Sequence, residues 1–257
     1  MEREPYLSVV VPAYNEEKRL PGTLERICAY LGKQTYPSEV IVVDDGSEDA
    51  TVRVAREVLE RAAPAQATWR VIENDHRGKG YTVRTGMLAA RGQYILFTDA
   101  DLATPIEEVE KLLTPLQAGY QVAIGSREGV GALRLEEPWY RHFMGRVFNL
   151  LVRIVAGTHY EDTQCGFKAF QREAAYDLFN RLHIYGPQAK VIKGGAVTAF
   201  DVEVLFLAGK RGYRVKEVPV IWRYGENTKV NPLRDSVRMF RDIVRVRLND
   251  WRGYYRD

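Results

Sequence analysis

The fold prediction starts from one segment, Gly92-Gln93-Tyr94-Ile95-Leu96-Phe97-Thr98-Asp99-Ala100-Asp101. Its apolar and aromatic residues are typical of a buried strand. Two carboxylates one residue apart follow at the carboxyl end of that strand, where open α/β sheets bind ligands. Asp99 and Asp101 together suit a hard cation such as Mg²⁺ or Mn²⁺, which leaves other coordination positions to water and phosphate oxygens. The alternative is a turn whose aspartates are solvated or cap a helix that begins near Pro105.

Three similar apolar runs precede this strand, and a predicted helix follows each of them. The runs are Leu7–Val11, Val40–Val43 and Trp69–Ile72, and the helices are predicted from about Leu20 to Leu31, up to about Arg61 and up to about Ala90. This alternation, with short connections, predicts an α/β fold with a mostly parallel central sheet and helices on both faces.

Each predicted strand ends in polar or aromatic residues that suit a nucleotide. Tyr14 offers a flat face on which a base can stack, and Glu16 and Asp45 can accept bonds from a base N–H or a ribose hydroxyl. Lys79 lies between two glycines and offers a positive charge for phosphate. Taken singly, each has an ordinary explanation as a loop aromatic, a helix cap or a solvated lysine. Because parallel strands end at one edge, we expect a nucleotide site there, although neither a P-loop nor a dinucleotide motif is present.

Four of these strand-end motifs resemble, in order, the motifs of family 2 glycosyltransferases of GT-A fold. They are Val11-Pro12-Ala13-Tyr14-Asn15-Glu16-Glu17, Val42-Val43-Asp44-Asp45-Gly46-Ser47, Arg77-Gly78-Lys79-Gly80 and Phe97-Thr98-Asp99-Ala100-Asp101. The resemblance implies a nucleotide-sugar site whose nucleoside is held by Pro12, Ala13, Tyr14, Glu16 and Asp45. It also implies that Asp99, Ala100 and Asp101 serve a metal, Mg²⁺ or Mn²⁺, and the diphosphate, which Lys79 helps to bind.

The second half of the chain extends the resemblance to the sugar acceptor. Its segments 162–170, 200–203, 215–222 and 225–230 are similar to the dolichyl-phosphate β-glucosyltransferase branch of the family, more than to the mannosyltransferase branch. That branch implies inverting transfer of glucose from UDP-glucose to a polyprenyl or dolichyl phosphate, giving a β-linked product. Two departures are an apparent insertion at 185–198 and Ala103, which replaces a metal-binding glutamine of the mannosyltransferases and leaves a third protein ligand open.

A lipid phosphate is already anionic near neutral pH, so its attack needs little help from a general base. Arg127, Arg141 and Lys229 are the candidates for binding that phosphate, because arginine forks match phosphate oxygens. Asp162 is expected to orient the donor sugar or an acceptor-side arginine. Three alternatives remain: a polyprenyl-phosphate mannosyltransferase that uses GDP-mannose, a transferase acting on a soluble sugar or protein hydroxyl, with Asp162 or Asp201 as its base, and a silent nucleotide-sugar-binding module.

Several further elements are predicted in the second half of the chain. They are a strand at 122–127, a glycine-containing loop at 128–135, a helix at 140–155 with basic and apolar residues, a helix from Phe200 to Gly209 and a strand at 215–222. The excess apolar surface of the 140–155 helix is expected to face lipid or an oligomer partner.

The chain is expected to divide into a glycosyltransferase domain at 1–230 and a basic amphipathic helix at 231–257. Spacings of three and four place Leu233, Val237, Phe240, Val244, Leu248 and Trp251 on one helical face. Most of Arg234, Arg238, Arg241, Arg245 and Arg252 lie off that stripe. The pattern is typical of a helix on an anionic membrane surface, and the alternative is a helix that packs its stripe on the domain.

Composition limits the remaining possibilities. The 257 residues are 46% hydrophobic and 28% charged, enough for a sizeable core, and the net charge of +3 is too small to indicate nucleic acid. Two distant cysteines suggest a reducing compartment, and the N-terminus lacks the shape of a signal peptide. We therefore expect a cytoplasmic protein, peripheral on the cytoplasmic face of a membrane, whose oligomeric state stays open.

Overall fold

The computed structural model describes residues 4–135, 155, 157, 159–192, 199–224 and 232–256, with the backbone only for 232–237. The strands are β1 Leu7–Ala13, β2 Ser38–Asp44, β3 Ala67–Glu73, β4 Tyr94–Thr98, β5 Val122–Ser126, β6 Leu133–Leu135, β7 Phe167–Gln171, β8 Val215–Pro219 and β9 Ile221–Arg223. The helices are α1 Leu20–Leu31, α2 Thr51–Ala62, α3 Lys79–Ala89, α4 Val109–Gln117, α5 Arg172–Asn180, α6 Phe200–Lys210 and α7 Pro232–Trp251. A 3₁₀ turn, Ile106–Glu108, leads into α4.

Seven of the strands form one central sheet in the order β3-β2-β1-β4-β7-β5-β8. All neighbours pair in parallel except β7, which runs antiparallel to β4 and to β5. The predicted mostly parallel α/β sheet is therefore confirmed. The reversal of β7 has a consequence for the site, because the residues that precede β7 meet the carboxyl ends of β1, β2 and β4. We call this side of the sheet the carboxyl edge.

Helices cover both faces of the sheet, as the apolar strands require. Every residue of β1, β2 and β4 is buried. On one face Leu24, Leu59 and Leu112 of α1, α2 and α4 pack in a single core cluster, and on the other α3, α5 and α6 contribute Met87, Leu178 and Leu205. Each such buried side chain contributes about 1.5–3 kcal/mol to stability, so the core holds the carboxyl edge on a rigid base.

The prediction of one late strand at 215–222 was wrong. β8 ends at Pro219, whose missing N–H interrupts the ladder, and the chain then forms β9 in a separate two-stranded sheet with β6. The predicted loop 128–135 therefore contains strand β6. The predicted helix at 140–155 lies outside the described residues except for Val155, which is helical.

Helix α7 exists as predicted, but a different face of it packs on the domain. Met239, Ile243 and Val246 are the buried apolar residues, whereas Phe240 and Trp251 of the predicted stripe are exposed. The alternative in which the predicted stripe packs on the domain is therefore wrong for Phe240 and Trp251, and the face that does pack also holds two polar residues, Asp242 and Asn249. The side chains of Leu233, Arg234 and Val237 lie outside the described residues. No helix within the described part of the chain is both long and apolar enough to cross a membrane.

Candidate active site

The carboxyl ends of β1 and β2 are joined by hydrogen bonds from backbone N–H groups. The N–H of Asp45 donates to the Ala13 carbonyl at 2.9 Å, and the N–H of Asn15 donates to Ser47 Oγ at 2.9 Å. Asn15 has a φ of 52°, a left-handed conformation that asparagine tolerates better than most residues. Pro12 and Ala13 are the last residues of β1 and pair with Val43 and Asp44 of β2. The first two predicted motifs therefore form one continuous surface.

Asp45 organises the next motif along the chain. Its carboxylate is almost fully buried and accepts bonds from the N–H groups of Arg77 at 2.9 Å and Gly78 at 3.0 Å, and it contacts His76 Nδ1 at 2.8 Å. Gly78 has a φ of 91°, which strongly favours glycine, and α3 begins at the following residue. Asp45 thus shapes the 76–78 loop, and its predicted contact with the nucleoside stays a prediction.

Its neighbour Asp44 is a buried acceptor that the sequence reasoning passed over. Asp44 Oδ2 accepts the Ser47 N–H at 2.9 Å, while Oδ1 is buried with no hydrogen-bond partner among the described residues. A buried oxygen without a partner costs about 1–3 kcal/mol. The position therefore favours a ligand that brings an N–H or O–H to the end of β2.

The Tyr14 ring lies parallel to the His76 imidazole, with centroids 4.0 Å apart and planes 3° apart. One face of the predicted stacking platform is therefore covered by His76. Because His76 Nδ1 also contacts Asp45, the histidine links the end of β1 to the end of β2. Sequence patterns give no sign of this structural role for His76.

Glu16 forms a two-pronged ion pair with Arg19, with both N–O distances at 2.7 Å. The bond to Glu16 raises the pKa of Arg19, and the negative charges of Asp101 and Asp99 add to the effect. The first turn of α1 is fixed beside these aspartates, because Thr23 Oγ1 donates to the Ala100 carbonyl at 2.7 Å. Arg19 thus places a positive charge near Asp99 and Asp101. The sequence motif did not indicate this arginine.

The two aspartates after β4 have different partners. Asp99 forms an ion pair with Lys79, in the first turn of α3, and Asp101 accepts the Ala103 N–H at 3.1 Å. Partial loss of hydration raises the pKa of Asp101, and the negative charge of Asp99 raises it further. Leu102, which follows Asp101, has a left-handed backbone conformation with a φ of 48°. The structure therefore brings Asp99, Asp101 and Lys79 together, as the motifs predict.

This pair of carboxylates fits a divalent cation that keeps part of its shell for other ligands. The mutual repulsion that raises the pKa of Asp101 is what a dication relieves. Among the described residues, no group of three or more His, Cys, Asp and Glu side chains is arranged to hold a metal ion. The protein would supply Asp99 and Asp101, and water and diphosphate oxygens would complete the shell, as is usual for Mg²⁺.

A buried ion pair lies behind Lys79. Lys168 of β7 is fully buried, donates to the Cys165 carbonyl and pairs with Asp201 at the start of α6. Burial raises the pKa of Asp201, and Lys168 and Lys79 oppose that rise. Although burial opposes it, the negative charges of Asp99 and Asp201 raise the pKa of Lys79, so its amine is positively charged at neutral pH. Sequence reasoning missed Lys168, because a lysine in an apolar run gives no sign of its partner.

Asp162 and Arg127 form a second ion pair at the carboxyl edge, in which the carboxylate is fully buried and the guanidinium partly exposed. Asp162 is 0% exposed and accepts Arg127 Nε at 2.7 Å, its Nη2 at 2.9 Å and its backbone N–H at 2.9 Å. Although burial alone would raise it, these bonds hold the pKa of Asp162 well below its usual range. Arg127 also lies over the Trp222 ring, 5.3 Å from its centroid. Asp162 therefore positions an arginine, which is one of the two roles expected of it, and is a poor general base.

Two of the predicted acceptor residues, Arg141 and Lys229, lie outside the described residues, so their roles stay predictions. Cys165 is buried, and burial raises the pKa of its thiol to about 11, which agrees with a structural role and not a nucleophilic one. Gly166 beside it was not singled out by sequence. A Cβ there would lie 2.1 Å from Asp99 Oδ2, so only glycine leaves room for that carboxylate.

Comparisons with known proteins identify the family of the chain. The model of glycosyl transferase family 2 matches residues 8–179. Dolichyl-phosphate beta-glucosyltransferases from Drosophila melanogaster and Homo sapiens are 39% and 36% identical, over 96% and 97% of this chain and 77% of each relative. That of Saccharomyces cerevisiae is 34% identical over the full chain and 78% of its own length.

Solved structures with the same fold are more distant in sequence. Glucosyl-3-phosphoglycerate synthase from Mycobacterium tuberculosis, in complex with Mn²⁺, UDP-glucose and phosphoglyceric acid, is 20% identical with a TM-score of 0.61, over 97% of this chain and 80% of that one. A mannosyltransferase from Pyrobaculum calidifontis with GDP-mannose and Mn²⁺ is 21% identical with a TM-score of 0.56, over 88% of this chain and 59% of that one. The fold is therefore GT-A, and the chain belongs to glycosyl transferase family 2, in the group of the dolichyl-phosphate beta-glucosyltransferases.

Proposed function

We propose that this chain transfers glucose from UDP-glucose to a polyprenyl phosphate such as dolichyl phosphate, with inversion to a β-linked glucosyl phospholipid. Relatives named for this activity match nearly the whole chain at 34–39% identity, which supports the donor sugar and the acceptor class. The carboxyl edge supplies acceptors for a nucleoside at Asp44 and Asp45 and charged groups for a diphosphate at Asp99, Asp101 and Lys79.

The state of Asp162 is the observation that carries the choice of acceptor. A hydroxyl acceptor must lose its proton, so its transferase needs a carboxylate poised to receive it. Asp162 is committed to Arg127 and has a strongly lowered pKa, and the other candidate, Asp201, is paired with Lys168. A phosphate monoester loses its second proton near pH 6 and needs no such base. Because Asp162 and Asp201 are both engaged in ion pairs, a phosphate acceptor, which needs no base, is favoured over a hydroxyl acceptor.

In the proposed reaction an acceptor phosphate oxygen attacks the anomeric carbon from the face opposite the diphosphate. The new bond joins that oxygen to the carbon, and UDP leaves with the electron pair of the broken bond. Lys79 lies beside Asp99, where its positive charge stabilises the leaving diphosphate. Arg127, held by Asp162, is proposed to bind the acceptor phosphate together with Arg141 and Lys229.

We further propose that transfer depends on Mg²⁺ or Mn²⁺ held by Asp99 and Asp101. When bound, such an ion neutralises charge on the diphosphate as it leaves. Among the residues that the structure describes, no third acidic or histidine side chain joins these two carboxylates in a metal-binding group, which supports this proposal because most of the metal's shell is left to the nucleotide.

The test measures transfer by mass spectrometry, with UDP-glucose and GDP-mannose as donors and either a short polyprenyl phosphate or soluble sugars as acceptors. The proposal predicts glucosyl phosphoprenol from UDP-glucose only. It also predicts a pH–rate profile with one rising limb near pH 6, from the acceptor, and no further limb from an enzyme base. A bell-shaped profile with a hydroxyl acceptor, or transfer from GDP-mannose alone, would contradict it.

Two variants separate the donor and acceptor sides of the site. Asp101→Ala should lose both transfer and metal-dependent binding of UDP. Arg141→Ala should keep UDP binding and lose transfer. Glu57→Gln on α2 is the control, because its exposed side chain pairs with Arg53 of the same helix. Equal loss of both properties in the Arg141 variant would argue against this division of roles.

A further inference from the structure

Helix α7 has one face that the domain covers. Met239, Ile243 and Val246 are at most 6% exposed, and Met239 and Ile243 pack with Ala199 and Val202 at the start of α6. The Tyr185 hydroxyl also donates to Asp242 at 2.6 Å on this face. The helix is therefore fixed to the domain by a core contact on this face.

A second face of α7 is apolar and exposed. Phe240 is 39% exposed, Leu248 is 37% exposed and Trp251 is 75% exposed, and Val244 between them is partly exposed. At about 100° per residue these four side chains fall within roughly 80° of the helix circumference. Tyr254, 54% exposed, follows just beyond the helix. Scattered single apolar residues are normal on a surface, whereas a continuous aromatic-rich stripe marks a binding surface.

Arginines flank this stripe. Arg238, Arg241, Arg245, Arg252 and Arg256 are exposed. The only acidic side chains of segment 238–256 are Asp242, which is 7% exposed, and Asp250, which pairs with Lys210. On the opposite flank Arg247 lies over the Phe206 ring. The exposed part of this segment is therefore apolar along its centre and positively charged at its sides.

We infer that this face of α7 lies on an anionic lipid bilayer. An apolar stripe with a tryptophan near one end and arginines alongside matches an interfacial helix, whose rings enter the headgroup region while the guanidinium groups meet lipid phosphates. A second copy of the chain would place these arginines against each other, which disfavours self-association through this face. The inference deepens the proposed function, because a polyprenyl acceptor is delivered at such a surface.

The packing of α6 against α7 sets which end of the helix is near the active site. Contacts run in the same order along both helices: Ala199 and Val202 cluster with Met239 and Ile243, Phe206 contacts Arg247 and Lys210 pairs with Asp250. The two helices are therefore parallel. Asp201 and Phe200 at the start of α6 lie beside Lys168 and Lys79 of the active site. If α7 lies on a bilayer, the carboxyl edge is therefore near the amino-terminal end of the helix. A lipid phosphate in the bilayer can reach the site there.

Co-sedimentation of the full chain with vesicles tests this surface. The wild type should bind vesicles of phosphatidylcholine with 30% phosphatidylserine, bind pure phosphatidylcholine far less, and lose binding at high salt. Arg241→Gln with Arg252→Gln should weaken binding about 30-fold, at about fivefold per arginine. Trp251→Ala should also weaken it. The control Arg53→Gln with Arg56→Gln removes two exposed arginines from α2 and should leave binding unchanged.

The inference is overturned if wild-type protein prefers neutral vesicles or binds both kinds equally, or if the α7 variants bind as the wild type does. It is also overturned if light scattering finds a dimer that Trp251→Ala dissociates. An assay of transfer to a water-soluble short-chain isoprenyl phosphate tests the proposed function without requiring membrane binding. The α7 variants should retain that transfer and lose transfer to long-chain acceptor in vesicles. If the wild type binds anionic vesicles but transfers to neither acceptor, the proposed function fails and the surface stands.

Discussion

Replacing Gly166 with alanine should abolish most transfer activity while the protein stays folded. The Cβ of the new residue would lie 2.1 Å from Asp99 Oδ2, 2.5 Å from Cγ and 2.7 Å from Oδ1. Ordinary contact begins at 3.4 Å, so the carboxylate must retreat by about 1.3 Å or the 162–166 segment must move by as much. The backbone of Gly166 does not have a positive φ, so alanine causes no strain of its own.

The expected loss is about 100-fold or more in kcat/KM, because a displacement of about 1 Å in a catalytic group costs on that order. Overpacking of this size reduces the free energy of unfolding by about 1–3 kcal/mol, which leaves a domain of this size folded. Metal-dependent UDP binding should weaken in parallel, since Asp99 is one of the two proposed metal ligands.

The assay combines transfer kinetics, calorimetric UDP binding with Mn²⁺ and thermal denaturation. Gly209→Ala is the matched control, because it lies within α6 and a Cβ there meets nothing within 4 Å. That variant should keep full activity and gain up to about 1 kcal/mol from helix propensity. Wild-type kcat/KM in a folded Gly166→Ala protein would refute the assignment of Asp99 to the reaction.

Three further outcomes follow from the Asp162–Arg127 and Lys168–Asp201 ion pairs and from the proposed metal site. Asp162→Asn should destabilise the protein by about 3–5 kcal/mol, because Arg127 is left without its carboxylate. Because the pKa of Asp162 is lowered in the folded state, the stabilisation by its ionised carboxylate is complete above the unfolded pKa of about 4 and declines below it. The difference in Tm between wild type and variant should therefore hold at pH 5–8 and shrink on acidification. Lys168→Met should lower the free energy of unfolding by a similar amount, because Asp201 is left buried without Lys168. The double variant Lys168→Met with Asp201→Asn should recover part of that loss in chemical denaturation. A double variant less stable than the single one would argue against the pair. Chelation with EDTA should abolish transfer and Mg²⁺ or Mn²⁺ should restore it, whereas full activity in EDTA would exclude a metal at Asp101.

The sequence predicted the fold and the location of the site because both depend on local patterns. Apolar runs followed by helices define a parallel sheet, and such a sheet places Tyr14, Asp45 and Asp101 at one edge whatever the details of packing. Pairings between distant segments were not predictable in this way. Asp162 with Arg127 and Lys168 with Asp201 arise only because the reversed strand β7 enters the sheet between β4 and β5.

Helix α7 illustrates a second limit. Its periodicity correctly predicted a helix, but two apolar faces compete along it, and periodicity cannot tell which one the domain covers. The covered face includes Asp242 and Asn249, whose burial is acceptable because Asp242 accepts the Tyr185 hydroxyl. Tyr185 comes from the segment interpreted as an insertion, so the decisive partner was far away in the sequence.

A crystal structure of the protein with UDP-glucose and Mn²⁺ tests the central claim most directly, since the anomalous signal of manganese locates the metal unambiguously. The account predicts a manganese peak about 2 Å from carboxylate oxygens of Asp99 and Asp101, with the diphosphate beside Lys79 and the uracil at the ends of β1 and β2. A metal or nucleotide bound away from the carboxyl edge would contradict it.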